Sequence, residues 1–264
     1  MMRKVKEVIA LGIAGWLLVS PISAFSDEGK GLAIATERKT RDAGWGDSAA
    51  TLSMLLKNAQ GETSERKLRI KSLEVEGDGD KGLTVFDEPR DVKGTAFLNY
   101  SHTTTPDDQW LFLPALKRVK RIASRNKSGP FMGSEFAYED LSSFELEKFT
   151  FTYLKDDVVQ GMDSYVIEQQ PTDQYSGYTR QVVWLDKIHL RPLQIEFYDR
   201  RKALLKTLSF EQYEEHLDRY WRANSMTMVN HQTGKSTTLT THELLFKRGL
   251  DESDFSKNSL KRAR

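Results

Sequence analysis

The 264-residue chain predicts a mainly β protein, built as one large curved antiparallel sheet or a partly closed barrel. Two observations carry that expectation. From residue 51 onward, apolar and polar residues alternate with a period of two in run after run, and the runs are joined by short polar turns at hairpin spacing. Helical periodicity is confined to a stretch near the start, and no linker, low-complexity tract or repeat divides the chain.

The elements follow in order. Arg3, Lys4 and Lys6 precede an apolar run at 8–19, Pro21 follows, and Ala24-Phe25-Ser26 offers small residues for cleavage after Ser26. The run is short for a membrane span, so residues 1–26 are expected to be a cleavable signal peptide that exports the chain to the periplasm. Residues 27–264 are then expected to form a single domain. Loss of Arg3, Lys4, Lys6 and Glu7 takes +2 from a formal charge of +1, leaving about −1. Residues 28–42 read as a helix, with Leu32, Ile34 and Ala35 apolar and Glu37, Arg38, Lys39 and Arg41 on the wet face; the cluster at 42–47, with two glycines, stops it. Leu52, Met54 and Leu56, then Leu68 and Ile70, alternate with polar neighbours. Further strands are expected at 83–86, 96–100, 110–113 and 117–122, and again at 149–154, 164–169, 177–185, 192–198, 204–210, 219–229 and 236–246. Their turns are expected at Lys155-Asp156-Asp157, Pro171-Thr172-Asp173 and Thr233-Gly234-Lys235.

Between the two series of strands, residues 128–143 read as a loop with a short helix, rich in large apolar residues. A strongly curved sheet has a concave face that must be filled, covered, or left as a cavity. Only residues 28–42 and this middle segment are available to cover it. Phe131, Met132 and Phe136 are costly if exposed in a Gly/Pro-containing loop, which makes them candidates for the mouth of an apolar pocket. Leu52, Met54, Leu56, Leu68, Ile70, Trp110 and Phe112 are candidates for its wall, chosen by alternation. Ordinary core packing is the default explanation for the strand aromatics, and Phe131, Met132 and Phe136 are the exception.

Composition excludes several classes of function. The 39 basic and 38 acidic residues nearly balance, so there is no field for nucleic acid. Without cysteine there are no disulfides, thiolate metal sites or cysteine nucleophiles. The sequence at 77–82 matches a dinucleotide-binding glycine motif, but a strand follows where that chemistry needs a helix N-terminus, so it reads as a hairpin turn. Asp78 and Asp80 lack the remaining ligands of a calcium loop. The five histidines, His102, His189, His216, His231 and His242, are too far apart for a local metal pair. No nucleophile elbow occurs, and no carboxylate pair stands out. No catalytic residue, metal or cofactor is therefore expected. The basic run Lys117, Arg118, Lys120 and Arg121 falls in an expected strand, where lysine and arginine discourage edge pairing; it could also dock an acidic partner or a lipid head group.

Three runs carry a resemblance: GLTVFDEPRDVKGTA at 82–96, DQWLFLPALKRVKRI at 108–122 and FMGSEFAYEDL at 131–141. With DAGWGD at 42–47, they resemble the bacterial outer membrane lipoprotein-sorting protein family, which is LolA-like, over nearly the whole mature chain. The resemblance implies an unclosed antiparallel β half-barrel with a few short helices as a lid over a hydrophobic cavity. It also implies a periplasmic carrier that binds the acyl chains of lipoprotein or lipid for transfer toward the outer membrane, with an inner-membrane exporter of the RND (MMPL-like) type as partner.

The carrier role suits the residues. An acyl chain in water exposes roughly 0.8 kcal/mol per CH₂, which an apolar cavity offsets without any catalytic group. A lid held by few contacts is expected to open at low cost, and replacing Phe131 and Phe136 by Glu is expected to weaken binding while sparing the fold. The alternatives are a non-carrying periplasmic adaptor that docks an exporter through residues 117–127, and a periplasmic hydrolase.

Overall fold

The computed structural model describes residues 23–262. Residues 1–22 of the expected leader, which was placed at 1–26, lie outside the described residues, and the expected cleavage point falls in the first turn of helix α1 (Ser23–Asp42). No helix among the described residues is long and apolar enough to cross a membrane.

Thirteen strands follow α1: β1 (Asp47–Lys57), β2 (Thr63–Leu73), β3 (Lys81–Glu88), β4 (Ala96–Tyr100), β5 (Asp108–Leu113), β6 (Arg118–Ile122), β7 (Phe149–Val159), β8 (Met162–Pro171), β9 (Tyr178–Asp186), β10 (Pro192–Asp199), β11 (Leu204–His216), β12 (Tyr220–Asn230) and β13 (Ser236–Phe246). A short helix, α2 (Lys257–Arg262), ends the described chain. All thirteen strands form one antiparallel sheet in the order β6-β5-β4-β3-β2-β1-β13-β12-β11-β10-β9-β8-β7. Two sequential meanders are thus joined by the ladder between β1 and β13, which runs from Ser48↔Phe246 to Lys57↔Ser236. Strands β6 and β7 are edges that do not pair with each other, so the sheet stays unclosed.

The sheet curls. Were it flat, β4 and β9 would lie about 38 Å apart, eight strand spacings. Yet the Tyr138 ring lies 5.6 Å from that of Phe97 on β4, and Asp140, two residues on, accepts a 2.8 Å hydrogen bond from the Tyr178 hydroxyl on β9. The inner face holds the main apolar cluster, with Leu52 and Met54, Leu68, Phe86, Phe97, Leu111, Phe197, Leu208, Met228 and Leu239 all buried. Both segments expected to cover a concave face lie on this side. Phe131 and Phe136 of the middle segment join the main cluster, while Ile34 and Ala35 of α1 pack on Phe151, Ile167 and Val183. Gly31 lets α1 lie directly on β7: a Cβ there would stand 2.7 Å from the Tyr153 backbone nitrogen.

On β5 the alternation resolves against the earlier choice. Leu111 points inward, whereas Trp110 and Phe112 pack with Leu83, Val85 and Leu98 on the outer face, beneath Phe255 and Leu260 of the C-terminal segment. Trp110 and Phe112 are therefore outer-face core, removed from the wall of any inner cavity. Two local readings also change. Lys155, Asp156 and Asp157 lie within β7, and the turn falls at Gln160-Gly161, both with positive φ, as in a two-residue hairpin. The helical part of the middle segment is two 3-10 turns, Phe131–Gly133 and Tyr138–Leu141, with an antiparallel bridge between Pro130 and Ala137. The glycine motif at 77–82 is a turn, as expected, in which Asp78 accepts hydrogen bonds from His102 and the Thr103 amide; these hold its carboxyl down at about 2.

Candidate functional site

Between the inner face of the sheet and its two covers lies a cavity of about 600 Å³. Its floor comes from strands on both sides of the central ladder: Leu52 and Ile70, then Ile195, Phe197, Leu208, Phe210, Met226 and Leu239. Phe136 and Leu141 of the middle segment and Phe144 form the roof, and Phe149, the first residue of β7, also lines the space. Ile195 with Phe197 and Leu208 with Phe210 are every second residue of β10 and β11, so that alternation lays an apolar surface across the two strands. A volume of this size falls within the range of small-molecule sites, about 300–1,000 Å³.

The structure distributes the expected wall residues unevenly. Leu52, Ile70 and Phe136 line the cavity. Met54, Leu68 and Phe131 are buried in the adjoining cluster, with Leu56 and Met132 packed against it, so they support the wall without facing the space. Phe131 is 1% exposed, its ring 5.8 Å from that of Phe86 and 5.2 Å from that of Phe97. A glutamate there would bury an unpaired carboxylate, so replacing Phe131 and Phe136 by Glu would disrupt the fold, contrary to expectation.

The middle segment is bolted down. The Lys206 ammonium on β11 lies 2.7 Å from Asp140 Oδ2 and donates to the Glu135 carbonyl at 2.8 Å; the Lys206 and Asp140 side chains are 4% and 6% exposed. Asn230 donates to the Glu135 carboxylate, the Glu135 amide donates to Thr237, and Arg66 donates to the Met132 carbonyl. Burial, with Asp140 and Glu139 alongside, pushes the Tyr178 phenol well above its usual range. These bonds reach five strands of the sheet, which contradicts a loosely held lid at residues 131–141.

The cavity opens where loops at 103–107 and 171–176 meet the residues flanking the middle segment. Lys127 pairs with Asp173 at 2.6 Å and Lys148 with Asp107, fastening each loop to the roof. Within, the Gln169 amide donates to Gln181, while the buried Gln169 carbonyl oxygen has no partner among the described residues.

One residue on the cavity wall escaped the sequence reading. Arg38 lines the space from α1. It lies four residues beyond Ile34 and three beyond Ala35, on the stripe that meets the sheet, so it does not belong to the wet face. That spacing was the available signal. The candidate docking residues scatter too. Cross-strand register puts Arg118 and Lys120 on the inner-face side, opposite Leu113 and Leu111, and Arg121 on the outer side opposite Trp110, where it pairs with Asp108. Lys117 occupies a left-handed position just before β6. No group of three potential metal-binding side chains forms among the described residues.

An unclosed antiparallel half-barrel around an apolar cavity is the architecture of the LolA-like proteins. The chain is 69% identical to a structure from Vibrio parahaemolyticus assigned as an outer membrane lipoprotein-sorting protein domain, with a TM-score of 0.88 over 89% of this chain and 100% of that one. The chain belongs to the outer membrane lipoprotein-sorting protein family. A DUF1329 family protein from Desulfovibrio piger is 28% identical with a TM-score of 0.84, covering 89% of this chain and 99% of that one. A LolA superfamily protein from Nitrosomonas europaea, 19% identical, shares the fold at a TM-score of 0.69, covering 87% of this chain and 98% of that one. A family model described as "Uncharacterized protein" matches residues 78–262. No curated protein matches the chain.

Proposed function

We propose that this protein is a non-enzymatic periplasmic carrier, which binds acyl chains of lipoprotein or lipid in the inner cavity for transfer toward the outer membrane. The observation that carries the reading is the cavity: about 600 Å³ walled by aliphatic and aromatic side chains from both halves of the sheet, where a packed barrel would have only side chains. Burying an acyl chain there offsets roughly 0.8 kcal/mol per CH₂. The opening between loops 103–107 and 171–176 is the route of entry. Leu52, Ile70 and Phe136 are direct contacts in this proposal, and Met54, Leu56, Leu68, Phe131 and Met132 hold the wall. An RND (MMPL-like) inner-membrane exporter is the proposed donor. Lys117, Arg118 and Lys120, exposed at the β6 edge, are its proposed contacts.

Native mass spectrometry of the exported protein tests the reading. The expected result is a set of adducts of lipid mass that vanish on denaturation. Phe210 lines the cavity and is only half-buried, so Phe210→Gln should weaken the adducts at small cost to the thermal melt. A clean apo mass, with no displacement of a hydrophobic fluorophore by added fatty acid or phospholipid, would refute carriage and favour a non-carrying adaptor.

A further inference from the structure

Three cations line the cavity, and two of them are spoken for: Lys127 by Asp173 and Lys148 by Asp107. Arg38 makes no ion pair or hydrogen bond among the described residues. The face of Phe144 lies against it, with the guanidinium 4.5 Å from the ring centroid. The charged or ionisable groups near enough to act on it are Tyr213 and Asp42. The Tyr213 hydroxyl donates to the Pro192 carbonyl, and burial pushes the phenol above its usual range, so it supplies no negative charge. Asp42 is held by Arg222 at 2.6 Å.

The carboxylates on the cavity wall are engaged elsewhere as well. Asp140 is paired with Lys206, and Glu139 accepts from the Ser176 hydroxyl and the Gly177 amide. Glu147 is exposed to water at the rim. Burial lowers the Arg38 pKa from its usual value, although a guanidinium stays protonated at any physiological pH. A permanent positive charge therefore faces an apolar space with five N–H donors and no acceptor. Burying a charge without a counter-charge is costly, and a planar fork of donors is suited to a carboxylate or a phosphate.

We infer that Arg38 anchors an anionic head group, so that the preferred ligand is an acyl-chain amphiphile bearing a carboxylate or phosphate rather than a neutral lipid. The inference rests on the carrier reading of the cavity and narrows it. The acyl chain occupies the apolar floor; the head lies against α1 beside Phe144, where the guanidinium donates to its oxygens.

Displacement of a hydrophobic fluorophore from the delipidated full-length protein, by dodecanoate, dodecyl phosphate and dodecanol, tests it. The two anions should bind at least about tenfold more tightly than the alcohol, the factor expected of one charge-assisted contact. Arg38→Gln should bring both anions to the level of the alcohol and leave the alcohol unchanged. Arg38→Lys should retain part of the preference, which also guards against a folding defect. A preference for one anion alone identifies carboxylate or phosphate as the source. Equal binding of anions and alcohol by the unaltered protein, or a preference that survives Arg38→Gln, overturns the inference while leaving the carrier intact. Binding of none of the three overturns both.

Discussion

Replacing Lys206 by Met tests how firmly the roof is held. The substitution keeps the aliphatic stem and removes the ammonium, leaving Asp140 with the Tyr178 hydroxyl and the Ala137 amide as its remaining donors. It also strips the Glu135 carbonyl of its Lys206 donor. With the two side chains 4% and 6% exposed, the carboxylate is nearly as dry as a core group. Breaking one side of such a pair costs about 3–5 kcal/mol, or roughly 10 °C in melting temperature for a domain of this size. Asp140→Asn in the same background removes the stranded charge and should recover part of the loss. Urea or thermal denaturation of the four proteins of the cycle measures the coupling. A loss below about 1 kcal/mol for Lys206→Met, with no coupling to Asp140→Asn, would refute the claim that this pair pins residues 131–141. The result bears on the proposed carrier: a roof pinned in this way stays in place, and entry falls to the mouth between loops 103–107 and 171–176.

Three further outcomes are expected. Gly31→Ala should destabilise the protein by about 1–3 kcal/mol, because its Cβ would meet the β7 backbone at 2.7–2.9 Å and outweigh the gain in helix propensity. Gly29→Ala, with open space around it, should be neutral or slightly stabilising in the same melt. Asp80 is raised to about 6, first by burial and then by Glu145, against the opposing pull of Lys39. Its folded value lies above the ordinary 3.8, so its contribution to stability is complete below about pH 4 and is lost as pH rises through about 6. Asp80→Asn should flatten the pH dependence of unfolding between about pH 4 and 6, and an unchanged slope there would contradict the assignment.

The strands were legible because one face of a curled sheet is buried and the other solvated, so the period of two is written into nearly every run. What alternation cannot reveal is which set faces inward. On β1 and β2 the polar partners of Leu52, Met54, Leu68 and Ile70 settle the matter. On β5, Gln109 and Leu111 face one way and Trp110 and Phe112 the other, and only Phe255 and Leu260 from the far end of the chain explain why the aromatic pair can lie on the outer face. Lys155-Asp156-Asp157 resembled a turn because all three are charged; they lie on the edge strand β7, with Lys155 and Asp156 exposed. Arg38 was hidden differently. Its charge suggested solvent, while its spacing from Ile34 placed it on the buried stripe beside the cavity.

The ladder that joins the two meanders has a consequence for how the protein is made. Every other strand pairs with a neighbour in sequence, a local step with little chain entropy at stake. The pairing of Ser48 with Phe246 closes a loop of roughly 200 residues, and the cavity floor, shared between β1–β2 and β10–β13, exists only once that loop has closed. During synthesis each half-sheet can assemble as it emerges, but the compartment it encloses cannot be completed until β13 is available. The chain therefore has no finished apolar chamber to fill until nearly all of it has been made.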